Sequence, residues 1–259
     1  MSIQKFSPKL AIQLGKLSKQ TYAQYEAHKS GKSWNIQDGY HLQETLFAIH
    51  EGNRVPIGFV ATEGSDTFVA WRGTDNIEEW IEDGKADQVA CSFLKDGEKV
   101  ELGFHELYTT AKEGHPSPQE VVRGYMESHP EVERLLVTGH SLGAALAVLN
   151  VLDIQVTTGR APIAYTLAGP RVGDPAFADT FDDRIETCWR VVNSHDEVPK
   201  VPPTSCPPLW PRSHYQHVNR EYRITFGNWW NLPEDHSLDN YLKCLEGAKG
   251  RPDQGLTRG

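Results

Sequence analysis

A short stretch of the sequence, Gly139-His-Ser-Leu-Gly143, has the residue types and spacing for nucleophilic chemistry. It follows an apolar run at 134–138 and precedes a run rich in Ala and Leu at 142–156, so a strand should lead through a tight turn into a helix. A serine on such a turn is strained, and flanking glycines let strand and helix come close. A helix-capping serine would fit the letters alone, but this context favours Ser141 as a nucleophile.

The acid that would support this serine is predicted next. In hydrolases with such a turn, the acid and then the histidine follow the serine along the chain. Asp174 stands before Pro175, which is the pattern of a helix N-cap. Asp196 comes just after the apolar strand-like run 189–193, at the strand end where catalytic groups gather in parallel sheets. We predict that Asp196 is the acid.

Two histidines after the serine compete for the role of base. His236 lies at the start of the last predicted helix, where a loop can bring it over the sheet edge. His217 lies in a segment that soon becomes a strand, where a side chain is more often packed. We predict that His236, oriented by Asp196, takes the proton of Ser141 as the serine attacks an ester carbonyl, and that an acyl-enzyme forms.

Backbone donors for the negative charge of the tetrahedral intermediate are predicted at two turns. Leu142 should begin a helix, where free N–H groups and the helix dipole can receive an oxyanion. Thr74 follows Gly73 at the end of an apolar strand, and its N–H could be the second donor. We therefore predict an oxyanion hole at Thr74 and Leu142.

A short amphipathic segment follows Thr74. Ile77, Trp80 and Ile81 recur at helical spacing within 76–83, which places three apolar side chains on one face. The pattern fits both a surface helix packed on the core and a lid that moves aside for lipid. We assign these three residues, together with His140 beside the serine, to the lid and substrate-binding region.

The elements that must position these residues can be predicted from periodicity. Helical spacing over 7–29 is followed by three strand-like runs, at 46–50, 57–62 and 67–72. From residue 100 onward, helical and strand-like patterns alternate, which implies a mostly parallel central sheet flanked by helices. We expect an α/β-hydrolase fold: a single domain at 1–246, a short helical lid candidate within it, and a flexible tail at 247–259.

Composition limits the class of protein. The chain of 259 residues has 38% hydrophobic residues and a formal net charge of −9, typical of a globular protein and unsuited to nucleic acid binding through basic contacts. No run is long enough for a transmembrane segment, and no apolar leader is visible. We expect a cytoplasmic location, or a secreted one if a leader has been removed. The four cysteines form no C-x-x-C pair, and we expect no metal and no cofactor.

Several segments together resemble the filamentous-fungal lipase family, also called class 3 lipases. The matching segments are Arg72-Gly-Thr74 with Ile77 and Trp80, Gly103-Phe104 with Tyr108, Gly139-His-Ser-Leu-Gly143, Gly169-Pro-Arg-Val-Gly-Asp174, Asn193-Ser-His-Asp-Glu-Val-Pro199 with Pro202-Pro203, and Asp235-His236. They span about 45–246. The resemblance implies the same triad and oxyanion hole and a lid at about 75–84. Departures from the family pattern are Asn219, where Gly is usual, and Arg223, where an aromatic residue is usual.

The resemblance implies an enzyme that hydrolyses triacylglycerols and acts on a lipid or other ester substrate, and a lipid–water interface is one place where it could act. A short-chain esterase, a monoacylglycerol lipase, a phospholipase A1 and a feruloyl-type esterase remain alternatives on the same scaffold. A catalytically silent homologue that binds lipid is the non-enzyme alternative, and the full set of triad and oxyanion residues argues against it.

Overall fold

A computed structural model gives the fold of the chain. It describes residues 5–50, 53–74, 87–112, 114–204, 213–218, 220–228 and 231–247. Helix α1 (Pro8–Lys29) begins where the sequence predicts: Pro8 needs no hydrogen bond for its nitrogen, and the Ser7 hydroxyl accepts from the Leu10 amide at 3.3 Å. The helix therefore starts at a fixed point on the protein surface.

A seven-stranded sheet is the centre of the described fold. Its strands in spatial order are β1 (His41–His50), β2 (Asn53–Glu63), β3 (Asp66–Trp71), β6 (Arg134–His140), β7 (Ile163–Leu167), β8 (Thr187–Asn193) and β9 (Arg220–Ile224). The first three form an antiparallel meander, and the strands β3, β6, β7, β8 and β9 pair with one another in parallel. Strands β4 (Gln88–Ala90) and β5 (Lys99–Glu101) pair separately. The carboxyl ends of the parallel strands share one edge, where catalytic groups can meet.

Helices cover both faces of the sheet. They are, after α1, α2 (Leu102–Thr109), α3 (Pro118–Ser128), α4 (Leu142–Thr158), α5 (Pro175–Arg184), α6 (Leu232–Asp235) and α7 (Leu238–Gly247), with a 3₁₀ turn at Val198–Lys200. One buried cluster lies between the sheet and the four helices α2, α3, α4 and α5, and it includes Trp71 and Tyr108. The other joins α1 and α7 to the opposite face and includes Phe68 and Tyr165. The predicted α/β-hydrolase fold is therefore confirmed, with a mostly parallel sheet between two helical layers.

Some short elements of the structure were not predicted from the sequence, and some predicted elements lie outside the described residues. Strands β4 and β5 have three residues each, too short for a periodicity to show. The last helix begins at Leu238 rather than His236, because the short helix α6 precedes it. Most of the predicted lid at 76–83 and tail at 247–259 lies outside the described residues, and the single domain at 1–246 stays a prediction. None of the described helices is both long and apolar enough to cross a membrane.

Candidate active site

Ser141 lies on a sharp turn between β6 and α4. Its backbone has φ 60° and ψ −128°, a positive φ that a residue with a side chain rarely adopts. A Cβ on Gly139 would overlap the Gly143 carbonyl, and a Cβ on Gly143 would overlap the Trp71 carbonyl. Strand and helix approach so closely that only glycine fits at both positions, which explains the spacing of the motif.

The serine hydroxyl is buried beside this turn. The backbone amide of Ser141 donates to the Leu167 carbonyl at 3.0 Å, which connects the turn to the neighbouring strand β7. Ser141 Oγ has no hydrogen-bond partner within the described part of the chain, and neither has the buried Nε2 atom of His236. A buried hydroxyl and a buried imidazole nitrogen without partners lower the stability of the folded state, and such unpaired groups are typical of sites that serve a reaction.

His236 and Asp196 are in direct contact. His236 Nδ1 lies 2.8 Å from Asp196 Oδ2, and the aspartate is fully buried. The same Oδ2 atom accepts from the Tyr241 hydroxyl at 2.8 Å, and Oδ1 accepts from the Val198 amide at 3.0 Å. Because the carboxylate accepts from the ring, His236 carries its proton on Nδ1, and its Nε2 atom keeps a lone pair that can take a proton.

Asn193 and Tyr241 hold the segments of the acid and the histidine together. The Asn193 amide nitrogen Nδ2 donates to the Asp235 carbonyl at 2.9 Å, next to His236. The Tyr241 hydroxyl accepts from the backbone N–H of Asn193 at 2.9 Å while it donates to Asp196. Burial, and then the charge of Asp196, raise the pKa of Tyr241 well above its ordinary value, so it remains a donor. Sequence reasoning missed both residues, because these contacts join positions more than 40 apart.

The turn at Gly73 and Thr74 lies against the serine turn. A Cβ on Gly73 would be 2.8 Å from the His140 carbonyl oxygen and 3.0 Å from Ser141 Cβ. Thr74 is half-buried and lines a cavity of about 440 Å³ together with His140 and His236. Leu142, the other predicted oxyanion donor, is the first residue of α4, where helix amides lack helical partners.

The two rival residues have structural contacts instead. His217 Nε2 lies 2.6 Å from the Pro199 carbonyl oxygen, and burial lowers the pKa of His217 well below its ordinary value. Asp174 caps α5 by accepting from the Phe177 amide at 2.8 Å. Both were interpreted from sequence as structural, and their contacts agree with that interpretation.

His140 lines the cavity, but most of its side chain is enclosed by protein contacts. Both of its ring nitrogens are hydrogen-bonded within the protein, Nδ1 to the Tyr22 hydroxyl at 2.8 Å and Nε2 to the His236 carbonyl oxygen at 2.9 Å. Only 5% of His140 is exposed. The other residues of the predicted lid and substrate-binding region, Ile77, Trp80 and Ile81, lie outside the described residues. Within the described ranges, no cluster of His, Cys, Asp and Glu side chains could hold a metal ion.

A serine on a strand-to-helix turn, with a buried Asp–His pair beyond the carboxyl ends of parallel strands, defines an α/β-hydrolase. Residues 68–206 match the model of the lipase (class 3) family. Phospholipase A1-Igamma2, chloroplastic, of Arabidopsis thaliana is 31% identical over 232 residues, covering 73% of this chain and 44% of that protein. The chain therefore belongs to the class 3 lipase family.

Two further matches extend this result. Phospholipase A1 EG1, chloroplastic/mitochondrial, of Oryza sativa subsp. indica is 30% identical, covering 71% of this chain and 48% of that protein. The triacylglyceride lipase of Rhizomucor miehei superposes with a TM-score of 0.66 at 26% identity, covering 86% of this chain and 83% of that one. The chain spans less than half the length of these two curated relatives, 44% and 48%.

The relatives correct one prediction from the sequence. We expected a cytoplasmic location because no leader is visible at the start of the sequence. The Arabidopsis relative is named as chloroplastic and the rice relative as chloroplastic or mitochondrial. These names point away from a plain cytoplasmic location, so that prediction is wrong.

Proposed function

We propose that the chain is a serine carboxylic ester hydrolase that removes acyl groups from glycerolipids, with Ser141, His236 and Asp196 as its catalytic triad. One observation carries the proposal. Asp196 Oδ2 lies 2.8 Å from His236 Nδ1, while His236 Nε2 and Ser141 Oγ are both buried without a hydrogen-bond partner among the described residues. These are the two atoms between which a proton must pass when the serine attacks.

The reaction follows from the protonation states of these groups. His236 Nε2 takes the proton of Ser141 Oγ as the oxygen bonds to the ester carbonyl carbon, and Asp196 stabilises the imidazolium that forms. The backbone N–H groups of Thr74 and Leu142 receive the oxyanion, where each donor contributes about 3–4 kcal/mol. His236 then protonates the leaving alcohol. Water activated by the same histidine releases the fatty acid from the serine.

Triacylglycerol is the substrate class that we propose first. The support is the structural match to the triacylglyceride lipase of Rhizomucor miehei, which covers 86% of this chain. A second candidate is phospholipase A1 activity, favoured by the names of the plant relatives at 30% and 31% identity. Both reactions break an acyl ester of glycerol and need the same triad. They differ in the head group that the cavity mouth must accept.

Action at a lipid–water interface is a further part of the proposal. Ile77, Trp80 and Ile81 form an apolar face in the sequence pattern, directly after the oxyanion residue Thr74. A triple change of these residues to Ser should reduce hydrolysis of emulsified triolein much more than hydrolysis of soluble p-nitrophenyl butyrate. An equal effect on both substrates would mean that the apolar face has no role in lipid binding.

The test of the catalytic assignment uses two serine variants. Ser141→Ala should lose nearly all hydrolysis of p-nitrophenyl butyrate, roughly 10⁴-fold or more, and should no longer be labelled by a fluorophosphonate. Ser128→Ala is the control, since Ser128 lies on helix α3 and, among the described residues, its hydroxyl donates to carbonyls of its own helix. Retained activity in folded Ser141→Ala would refute the assignment. Rates on triolein emulsion and on phosphatidylcholine vesicles then decide between the two substrate classes.

A further inference from the structure

His140 has a contact that the proposed reaction does not use. Its Nε2 atom lies 2.9 Å from the backbone carbonyl oxygen of His236, a residue 96 positions further along the chain. A carbonyl can only accept, so Nε2 must carry the proton of the His140 ring. Nδ1 then has the lone pair, and the Tyr22 hydroxyl at 2.8 Å must donate to it. The two partners together fix the tautomer of this histidine.

The surroundings of His140 enclose its ring and favour its neutral form. The side chain is almost fully buried, and the ring centroid lies 4.7 Å from that of His236 with the planes inclined by 37°. Burial, and then the nearby His236, lower the pKa of His140 well below its ordinary value. When His236 becomes positively charged during the reaction, its close neighbour therefore carries no charge and does not repel it.

The segment of His236 needs such a support. His236 is the C-cap residue after the four-residue helix α6, a length at which a helix has little stability of its own. The His236 amide donates to the Leu232 carbonyl within this short segment. The His140 ring contacts the His236 carbonyl oxygen, and His140 is the last residue of β6, directly before the proposed nucleophile. The His140 ring thus connects strand β6, which precedes Ser141, to the backbone of His236.

We propose that His140 is a positioning residue: its Nε2–H holds the carbonyl of His236 and so sets the imidazole of His236 between Asp196 and Ser141. This inference rests on the proposed function, because it assigns a role within that triad. Tyr22, on helix α1, acts through His140 by keeping the proton on Nε2. A displacement of about 1 Å at a reacting group can reduce the rate about 100-fold, so a single lost contact of this kind should be measurable.

A matched pair of amide variants separates the two contacts of His140. In His140→Gln the side-chain amide nitrogen occupies about the place of Nε2 and can still donate to the His236 carbonyl. In His140→Asn the amide is one methylene shorter, so it can reach Tyr22 but not the carbonyl. Both variants bury one amide in place of the imidazole, so the stability cost is similar. Thermal unfolding of both variants verifies that they are folded.

The expected results are a large effect for one variant and a small one for the other. For p-nitrophenyl butyrate, His140→Asn should lower kcat about 10- to 100-fold with little change in KM, because the base is misplaced. His140→Gln should stay within about threefold of the wild type, a difference of about 0.7 kcal/mol. Equal kcat values for folded His140→Asn and the wild type would overturn the inference, although the proposed function would stand.

A second measurement does not depend on activity. The proton between His236 Nδ1 and Asp196 should give a separate downfield signal in the NMR spectrum of the wild type and His140→Gln. This signal should be lost or broadened in His140→Asn, and its persistence there would overturn the inference even for an inactive protein. Tyr22→Phe should lower kcat less than His140→Asn and should add nothing in the double variant. A further loss in the double variant would show that Tyr22 acts independently of His140.

Discussion

At the scale of single residues, the chemistry of the site comes from position rather than from unusual side chains. Ser141 is an ordinary serine, but its φ of 60° places it on a tight turn between β6 and α4, where its hydroxyl is buried. A strained residue of this kind costs about 1–3 kcal/mol, which the surrounding backbone contacts must offset. The fixed contacts of Gly139 and Gly143 supply that support. We therefore predict that the flanking glycines are needed for activity because they permit the turn that carries Ser141.

Gly139→Ala should damage both stability and activity. An added Cβ would lie against the Gly143 carbonyl and 2.8 Å from the Ala144 nitrogen, so the backbone of the turn must move. We expect a loss of about 1–3 kcal/mol or more in the free energy of unfolding and a large fall in kcat. Gly124→Ala on helix α3 is the control, because its Cβ would meet open space and should stabilise by about 0.5–1 kcal/mol. Urea unfolding and p-nitrophenyl butyrate hydrolysis measure both effects, and equal stability of the two variants would contradict the steric argument.

Glu101 should make stability depend on pH. Burial raises its pKa from 4.5 to about 7, although the Phe104 amide donates to it. Between these pH values the folded state keeps a proton that the unfolded state has released, so the free energy of unfolding falls as pH rises through this window. The loss approaches about 3 kcal/mol above pH 7. It should be absent below pH 4.5, where both states are protonated.

Glu101→Gln tests this dependence because the amide oxygen can still accept from Phe104. The variant should be more stable than the wild type above pH 7, and the two curves should converge below pH 4.5. Chemical unfolding across this range measures the difference. Glu127→Gln, at an exposed position of helix α3, is the control and should follow the wild-type curve. Parallel curves for Glu101→Gln and the wild type would show that this carboxyl does not cause the pH dependence.

At the scale of elements, helix α4 is fixed in place by a buried acid. Asp153 is fully buried and accepts from Tyr108 of helix α2 at 2.8 Å and from Gln119 of helix α3 at 3.2 Å. Arg123 of helix α3 forms an ion pair with the same carboxylate. The Asp153 carboxylate of helix α4 therefore contacts side chains of both α2 and α3. Because α4 begins at the serine turn, this network also holds the helix from which the Leu142 amide projects.

Asp153→Ala should be strongly destabilising. It would leave the buried donors Tyr108 and Gln119, as well as the partly exposed Arg123, without their shared acceptor, and each buried donor left unsatisfied costs about 1–3 kcal/mol. Lys16→Ala is the matched control at a surface pair with Glu246, whose side chains are 54% and 41% exposed and whose loss should cost less than about 1 kcal/mol. Guanidinium unfolding of both variants gives the comparison. Similar losses for the two would contradict the role assigned to the buried network.

Helix α1 shows how one element can serve both the core and the site. Leu14 and Leu17 are buried against the apolar face of the sheet, on the side opposite the larger cluster. Tyr22 is on the same helix and donates to His140 at the active site. The helix also pairs Lys19 with Asp239 of helix α7 at 2.6 Å, beside the active-site cavity. A helix that packs on the sheet thus also supplies the hydroxyl that contacts His140.

At the scale of the whole molecule, the sequence predicts best what local patterns determine. The alternation after residue 100 predicted the parallel sheet, and β6, β7, β8 and β9 pair in parallel in the structure. The choice of Asp196 and His236 followed from chain order and from their places after a predicted strand and at the start of a predicted helix, and the structure brings the two side chains together. Tyr22, Asn193 and Tyr241 could not be found this way, because their roles depend on contacts between segments distant in sequence. Strands of three residues, such as β4, have too few positions for any periodicity.

The charge of the whole chain makes a prediction about membrane surfaces. The formal net charge of −9 should repel anionic lipid, so vesicles of neutral phosphatidylcholine should be hydrolysed faster than vesicles that also contain phosphatidylglycerol. Salt distinguishes this effect from a head-group preference of the cavity. The Debye length falls from about 30 Å at about 0.01 M salt to about 3 Å at about 1 M, so the difference between the two vesicles should nearly vanish at high salt. A rate difference that persists at high salt would place the selectivity in the cavity mouth. Faster hydrolysis of the anionic vesicles at low salt would contradict the electrostatic argument, because a local basic surface would then outweigh the net charge.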